Sequence, residues 1–272
     1  MNAYLLFVFL GVVQGLTEFL PVSSSGHLIL LESLAGVNPP GVLTEVVMHL
    51  ATLLAVVIYY RHDLGAMLGL RSVTRLRSPG AYVAFLALAT AATVGVILPF
   101  RHLLEQLAEG RPALVALAFT FAVTSAMMFG LDKLLEVPRP RLREVTSLGW
   151  LPVVVIGLAQ GVAALPGISR SGATIFMGVL LGLRRDEAAR FSFLLFIPAA
   201  VLATGYELVR MESGGLAFPR ELAGPVAAGF LAALVTGLLA IHLLLLILQK
   251  SRLRYFGVYL LLLALLVWGL VL

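Results

Sequence analysis

Two short polar stretches interrupt an otherwise apolar chain of 272 residues. The first, "GLTEFLPVSSSGHL" at 15–28, combines the carboxylate of Glu18 with serine hydroxyls and the imidazole of His27. The second, "LPGISRSGAT" at 165–174, places Arg170 among serines and a threonine. A guanidinium surrounded by hydroxyls and helix N-terminal amides suits phosphate oxygens, while a carboxylate, a hydroxyl and an imidazole can transfer protons or attack phosphorus. The two stretches therefore predict a site for a phosphorylated ligand.

Ionisable side chains in apolar segments are functional candidates by default. Each costs about 2.5–3.5 kcal/mol at the centre of a membrane helix on insertion scales, which singles out Glu18, His27 and Arg170. Gln14 lies one helical turn before Glu18, so their oxygens could hold a hard cation such as Mg²⁺ or Ca²⁺. His49 is a weaker candidate to line the same cavity.

The small residues of the two stretches admit two interpretations. Ser169, Ser171 and Thr174 flank the arginine and could bind substrate oxygens. Small residues at helix crossings often serve only close packing. That interpretation is as good as substrate binding for five of them: Ser23, Ser25, Gly26, Ser171 and Gly172.

The composition is that of an integral membrane protein. The mean hydropathy is +1.03, and 12% of residues are charged, against about a quarter in soluble proteins. Runs such as 227–248 are apolar on every face, so the spans are helices and the fold class is all-α. The absence of cysteine excludes disulfides and iron–sulfur clusters. A lipid bilayer is the expected surrounding, and no nucleic-acid partner is expected.

The apolar segments predict six transmembrane helices and two broken segments. The six are Leu43–Tyr60, Ala81–Phe100, Ala113–Leu131, Phe191–Val209, Ala223–Leu248 and Phe256–Leu272. Two further segments, Ala3–Leu34 and Leu151–Leu183, are interrupted by Pro, Ser and Gly clusters that leave arms too short to span. We expect these two to be re-entrant helical hairpins.

The chain contains an internal duplication. Residues 11–26 align without a gap on residues 157–172, and the same shift places 87–90 over 233–236. One hairpin followed by three spans ends on the opposite face, so the repeat must be inverted, as in many membrane proteins. We therefore expect one membrane domain with a first repeat at 1–131, a basic cytoplasmic linker at 132–150 and a second repeat at 151–272.

The distribution of Lys and Arg predicts the orientation. The loops at 61–80, 132–150, 184–190 and 249–255 hold 14 of the 19 basic residues. The positive-inside rule places these loops in the cytoplasm and the first hairpin at the outer face.

The charged positions are where the two copies differ. The differing pairs are Glu18 with Ala164, Ser24 with Arg170, and His27 with Ala173. We expect the shared glycines and prolines to build the hairpins and the differing residues to carry the chemistry.

"GVVQGLTEFLPVSSSGH" (11–27) and "LPGISRSGAT" (165–174) resemble the two signatures of the bacterial undecaprenyl-diphosphatase family of the bacitracin-resistance type. The resemblance covers the whole chain. It implies removal of the terminal phosphate from undecaprenyl diphosphate, a lipid carrier of cell-wall synthesis. It also implies a bacterial inner (plasma) membrane location, an active site open to the outer face, a divalent cation and the ability to form homodimers.

The resemblance also implies site residues. Carried over by position, they are Gln14 and Glu18 in the acidic motif, Ser24 and His27 in the serine and histidine motif, and Ser169, Arg170, Ser171 and Thr174 in the arginine motif. Many family members have Glu where this chain has Gln14, so we assign Gln14 no proton transfer and keep only metal ligation.

The catalytic hypothesis starts from the position of Ser24 opposite Arg170 in the duplication. Ser24 attacks the terminal phosphorus, His27 one turn later accepts its proton, and Glu18 holds the cation or orients the histidine. Direct attack by His27, or by water activated by Glu18, is the alternative.

A transporter is the main rival, because inverted repeats with broken helices are a transporter design. Coupled carriers usually have carboxylates in several spans, whereas only Glu18 lies deep in a predicted membrane segment here. A lipid flippase that binds the same headgroup without hydrolysis stays open, and release of inorganic phosphate distinguishes it.

Overall fold

The computed structural model describes residues 2–35, 41–70, 78–107, 110–137, 143–213 and 220–272. These residues form eleven α-helices and two 3-10 turns, which agrees with the predicted all-α class. In chain order the helices are α1 Ala3–Phe19, α2 Ser24–Ala35, α3 Gly41–Tyr59, α4 Arg61–Met67, α5 Pro79–Gln106, α6 Gly110–Glu136, α7 Trp150–Val162, α8 Arg170–Leu180, α9 Arg185–Ser213, α10 Ala223–Gln249 and α11 Arg254–Val271.

Five helices are long and apolar enough to cross a membrane: α5, α6, α9, α10 and α11. They match five of the six predicted spans. The sixth, Leu43–Tyr60, coincides with α3, but the part of α3 that qualifies among the described residues, Val46–Tyr59, is shorter than a full span. The count of six is therefore not established, although five apolar spans make this a multi-pass membrane protein.

Each broken segment consists of two helices separated by a short turn. α1 ends at Phe19, and Leu20 takes an extended conformation (ψ 145°) because the residue before a proline, here Pro21, is disfavoured in the helical region. The second break contains Gly167 in the left-handed region (φ 88°). A side chain at that glycine would also overlap the hydroxyl of Thr120. Local turn chemistry therefore produces both breaks.

Matched serines cap the helices that follow the two breaks. A side-chain oxygen at this position satisfies an N–H group that has no partner within the helix. Both caps make the same two contacts: Ser23 Oγ with Gly26 N (3.4 Å) and Ser25 Oγ (3.3 Å), and Ser169 Oγ with Gly172 N (3.1 Å) and Ser171 Oγ (3.2 Å). Ser23 and Ser169, which align in the two copies, thus both cap the helix that follows the break.

Glycines allow the first helix of each broken segment to touch a long helix through backbone atoms. A Cβ at Gly11 would lie 2.2 Å from the carbonyl oxygen of Gly229, and one at Gly157 would lie 2.3 Å from that of Ala89. α1 therefore packs on α10, and α7 packs on α5. We call these two contacts the glycine seams.

The same contacts correct the weaker part of the sequence alignment. A Cβ at Gly15 would lie 2.4 Å from Ala233 O, and one at Gly161 would lie 3.0 Å from Thr93 O. By these contacts Thr93 takes the place that Ala233 takes, whereas the gapless shift of the sequence placed Ala87 over Ala233. The first copy has more residues between its broken segment and the long helix, which a gapless shift ignores.

Candidate active site

The two helix breaks meet at a buried ion pair. Glu18 lies at the end of α1, and Arg170 is the first residue of α8. Arg170 Nη2 donates a hydrogen bond to Glu18 Oε1 at 2.8 Å, and the two side chains are 16% and 7% exposed. Buried charges are tolerated only when paired. The structure thus joins the only two charged side chains of the sequence motifs, across 152 positions of chain.

The second oxygen of Glu18 accepts two further hydrogen bonds. Ser24 Oγ donates to Oε2 at 2.6 Å, and Gln14 Nε2 donates to it at 3.0 Å. His49 Nε2, from α3, lies 4.0 Å from the same oxygen. Glu18 is therefore the centre of the site, with a hydroxyl group close enough to pass it a proton.

Ser24 and Arg170 occupy the same position in the two copies, and both bind Glu18. One donates to each carboxylate oxygen. The aligned position thus carries a hydroxyl in one copy and a guanidinium in the other. The serine one residue earlier, Ser23 or Ser169, caps its helix in the same way in both.

The guanidinium of Arg170 packs against an aromatic ring and has one nitrogen that pairs with no described residue. Its central carbon lies 4.0 Å from the ring centroid of Phe196 on α9, within cation–π range. Arg170 Nη1 is buried and has no hydrogen-bond partner within the described parts of the chain. An unsatisfied buried donor costs about 1–3 kcal/mol, and more when it is charged. Arg170 Nη1 is therefore suited to donate a hydrogen bond to an oxygen of a ligand.

The predicted cation ligands are adjacent but few. Gln14 Oε1 is buried, one turn from the Glu18 carboxylate, and no described residue gives it a hydrogen bond. Among the described residues, no group of three or more His, Cys, Asp or Glu side chains is arranged to hold a metal ion. A bound cation stays a prediction: Gln14 and Glu18 would supply two protein oxygens, and water and substrate phosphates would have to supply the rest, as they commonly do for Mg²⁺.

His27 is bound away from Ser24. Its Nδ1 lies 2.7 Å from the carbonyl oxygen of Ser23, and its Nε2 lies 2.6 Å from the hydroxyl of Tyr259 on α11. The imidazole also stacks on the Tyr259 ring, with centroids 5.7 Å apart. The hydroxyl of Ser24 is directed to Glu18 instead. The structure thus brings Ser24, but not the His27 ring, to the ion pair.

The hydroxyls around Arg170 hold the second break in place. Ser171 Oγ donates to Leu20 O of the first break at 3.4 Å. Thr174 Oγ1 donates to Arg170 O at 2.8 Å and lies 2.6 Å from Ser192 Oγ. These contacts are structural, and substrate binding by Ser169, Ser171 and Thr174 stays a prediction.

Gly26 and Gly172 pack against the same helix, α6. A Cβ at Gly26 would lie 2.7 Å from the Phe121 ring, and one at Gly172 would lie 3.0 Å from Met128 Cε. Close packing therefore accounts for both glycines, and substrate binding by either stays a prediction.

The sequence motifs do not include Phe196 or Tyr259. Both are aromatic residues on apolar helices, and nothing in their spacing separates them from ordinary lipid-facing or core positions. Their contacts with Arg170 and His27 depend on how α9 and α11 rotate against the breaks.

These features define a multi-pass membrane protein whose carboxylate, hydroxyl and guanidinium meet between two helix breaks. Residues 7–266 match the profile of the family described as bacitracin resistance protein BacA, and the chain belongs to that family. It is 40% identical to the undecaprenyl-diphosphatase of Rubrobacter xylanophilus, over 97% of both chains. It is 35% identical to undecaprenyl-diphosphatase 1 of Shouchella clausii, over 96% of this chain and 94% of the relative. It is 36% identical to undecaprenyl-diphosphatase 2 of Stutzerimonas stutzeri, over 93% and 92%.

Proposed function

We propose that this protein is an undecaprenyl-diphosphatase, which hydrolyses undecaprenyl diphosphate to undecaprenyl phosphate and inorganic phosphate and so recycles the lipid carrier of cell-wall synthesis. Family membership and the full-length similarity to enzymes of that name support this function. The observation that carries it is the contact of Ser24 and Arg170 with opposite oxygens of Glu18. This arrangement offers a nucleophile, a base and an anion-binding group within one cluster.

The geometry supports Glu18 as the base for Ser24. Ser24 Oγ forms a bond to the terminal phosphorus as the bond from phosphorus to the bridging oxygen breaks, and its proton passes to Glu18 Oε2 over the 2.6 Å hydrogen bond. Undecaprenyl phosphate leaves with the bridging oxygen. A water oxygen then bonds to phosphorus as the bond from phosphorus to Ser24 Oγ breaks, Glu18 returns its proton to Ser24 Oγ, and the proton lost by the water passes to solvent as inorganic phosphate leaves. Arg170 Nη1 stabilises the charge on the non-bridging oxygens.

A divalent cation, Mg²⁺ or Ca²⁺, fits beside the same carboxylate. Gln14 Oε1, a buried oxygen without a partner among the described residues, and the Glu18 carboxylate would be its protein ligands, and the Gln14 amide would turn from the orientation in which Nε2 donates to Glu18. When bound, the cation would neutralise charge on the phosphate oxygens.

An inverted repeat with two re-entrant hairpins accounts best for the architecture. The packing of α1 on α10 is repeated by α7 on α5, as expected when each helix has a counterpart in the other copy. The basic loops at 61–80 and 132–150 then lie in the cytoplasm, and the active site opens to the outer face of the bacterial inner membrane.

The orientation can be tested with two exposed serines, because the chain has no native cysteine. Ser33 lies near the end of α2, which we place at the outer face, and Ser147 lies in the cytoplasmic linker. In intact cells an impermeant thiol reagent should label Ser33→Cys at once and Ser147→Cys only after permeabilisation. The opposite labelling pattern would reverse the orientation.

The activity is tested by phosphate release from purified protein. Undecaprenyl diphosphate with Mg²⁺ should yield one inorganic phosphate per lipid, and a chelator should abolish the release if the cation is needed. Turnover that continues at its full rate under chelation would remove the cation from the proposal. Substrate binding without any phosphate release would instead favour the flippase.

A further inference from the structure

The two capping serines differ in backbone conformation. Ser169 has the usual N-cap geometry, with φ −72° and ψ 116°. Ser23, at the same position of the first copy, has φ 69°, in the left-handed region that non-glycine residues rarely adopt. Both serines cap an N–H group three residues later, so capping does not explain the difference.

The residue four positions after each serine also differs between the copies. In the second copy Ala173 N donates to Ser169 O at 2.8 Å, as in any helical turn. In the first copy His27 N donates to Ser23 O at 3.2 Å, and the His27 ring adds a second hydrogen bond to the same carbonyl at 2.7 Å. Of the two capping serines, the imidazole thus holds the carbonyl of the one whose backbone is in the left-handed region, Ser23.

The carbonyl of Ser23 determines which nitrogen of His27 carries the proton, and Tyr259 holds the ring from its other nitrogen. The carbonyl of Ser23 only accepts, so Nδ1 must be the protonated nitrogen of the neutral ring. Nε2 is then an acceptor, and the hydroxyl of Tyr259 donates to it at 2.6 Å. Without that hydroxyl, Nε2 loses its partner, and the Nδ1 hydrogen bond alone holds the ring on the carbonyl.

We infer that Tyr259 is a positioning residue for the reaction, acting through His27 on the backbone at Ser23. Ser24 follows directly, and the orientation of its hydroxyl towards Glu18 depends on that backbone. His27 then serves to hold the nucleophile rather than to accept its proton. The inference rests on the proposed phosphatase function for its kinetic consequences, but the tautomer itself does not depend on activity.

Removing the single hydroxyl tests the inference, because Tyr259→Phe keeps the stacked ring. We expect kcat for phosphate release to fall about tenfold while KM stays within about twofold, since a positioning residue affects the transition state more than substrate binding. Tyr255→Phe is the matched control, because Tyr255 lies one turn earlier on α11, is exposed and contacts Arg254 rather than the site. Its kcat should equal that of the parent.

A double-mutant cycle shows whether Tyr259 acts through His27. In a His27→Ala background, adding Tyr259→Phe should cause no further loss. If His27→Ala does not fold, Ser23→Gly serves as the background instead. Glycine adopts φ 69° without strain, so the backbone no longer needs His27 to hold it, and adding Tyr259→Phe should then lower kcat less than it does in the parent. A parental kcat for Tyr259→Phe, or the same loss in every background, would overturn the inference.

Nitrogen-15 NMR of labelled histidine gives a readout that does not depend on turnover. His27 should be protonated at Nδ1 in the parent, and in Tyr259→Phe the Nε2 resonance should shift because that nitrogen loses its hydrogen-bond donor. A parent protonated at Nε2 would overturn the inference even if the enzyme is active. A parent that shows the Nδ1 tautomer but releases no phosphate would contradict the proposed function and leave this coupling standing.

Discussion

Replacing Ser24 with alanine is expected to lower the rate of phosphate release by at least about a thousandfold, because the remaining groups position the substrate without attacking it. In the structure Ser24 is the hydroxyl that donates to Glu18, at 2.6 Å. The initial rate at saturating undecaprenyl diphosphate measures the effect. Folding is checked by retention of the thermal transition in detergent.

Ser23→Ala is the matched control, because it removes a neighbouring hydroxyl that caps α2 and does not bond Glu18. Loss of a cap costs stability by about 1 kcal/mol, so the variant should melt earlier but lose much less activity. If Ser24→Ala stays within about tenfold of the parent while His27→Ala is inactive, Ser24 is only a hydrogen-bond donor and another group attacks phosphorus.

Arg170→Lys should reduce kcat/KM by at least about a hundredfold although it keeps the charge. The guanidinium uses one nitrogen for Glu18, has another without a partner among the described residues, and places its central carbon 4.0 Å from the Phe196 ring centroid. A lysine ammonium is a point charge that cannot bridge a carboxylate and a phosphate in one plane or stack on the ring. Phosphate release across a range of substrate concentrations gives kcat/KM.

Arg184→Lys provides the comparison on an exposed ion pair. Arg184 bonds Asp186 with both side chains about half exposed, so the exchange should leave kcat/KM close to that of the parent. Near-normal activity of a folded Arg170→Lys protein would reduce Arg170 to a structural or general electrostatic role.

The helix breaks and the residues that meet there could be read from the sequence because both depend on local chemistry. Pro21 and Gly167 interrupt apolar segments at positions where proline and glycine dictate the backbone. Glu18 and Arg170 stand out because isolated charges in apolar segments must find a partner. Because Glu18 and Arg170 lie at the interruptions of two matched segments, an inverted repeat would bring the two side chains together.

The finer geometry could not be read because it depends on helix rotation and long-range packing. Nothing local distinguishes Tyr259 from the other exposed aromatic residues of α11, yet its hydroxyl reaches a ring 232 positions away. Ser24 gives its hydrogen bond to Glu18 rather than to His27, which is nearer in sequence. The backbone just before Ser24 is left-handed at Ser23 and so is not that of a regular helix. A helical spacing rule assumes regular backbone and so predicts the wrong neighbour at such a position.

The glycine seams decide which parts of this protein can move. Where the Cβ positions of Gly11 and Gly157 lie 2.2 and 2.3 Å from facing carbonyl oxygens, no side chain stands between the helices to change rotamer and absorb a shift. α1 on α10, and α7 on α5, are therefore contacts that cannot slide by rotamer changes alone. Residues 20–23 and 163–169 connect α1 and α7 to α2 and α8, and they carry Ser23 and the cap of α8. A displacement of α2 relative to α1 would therefore also alter the backbone that directly precedes Ser24.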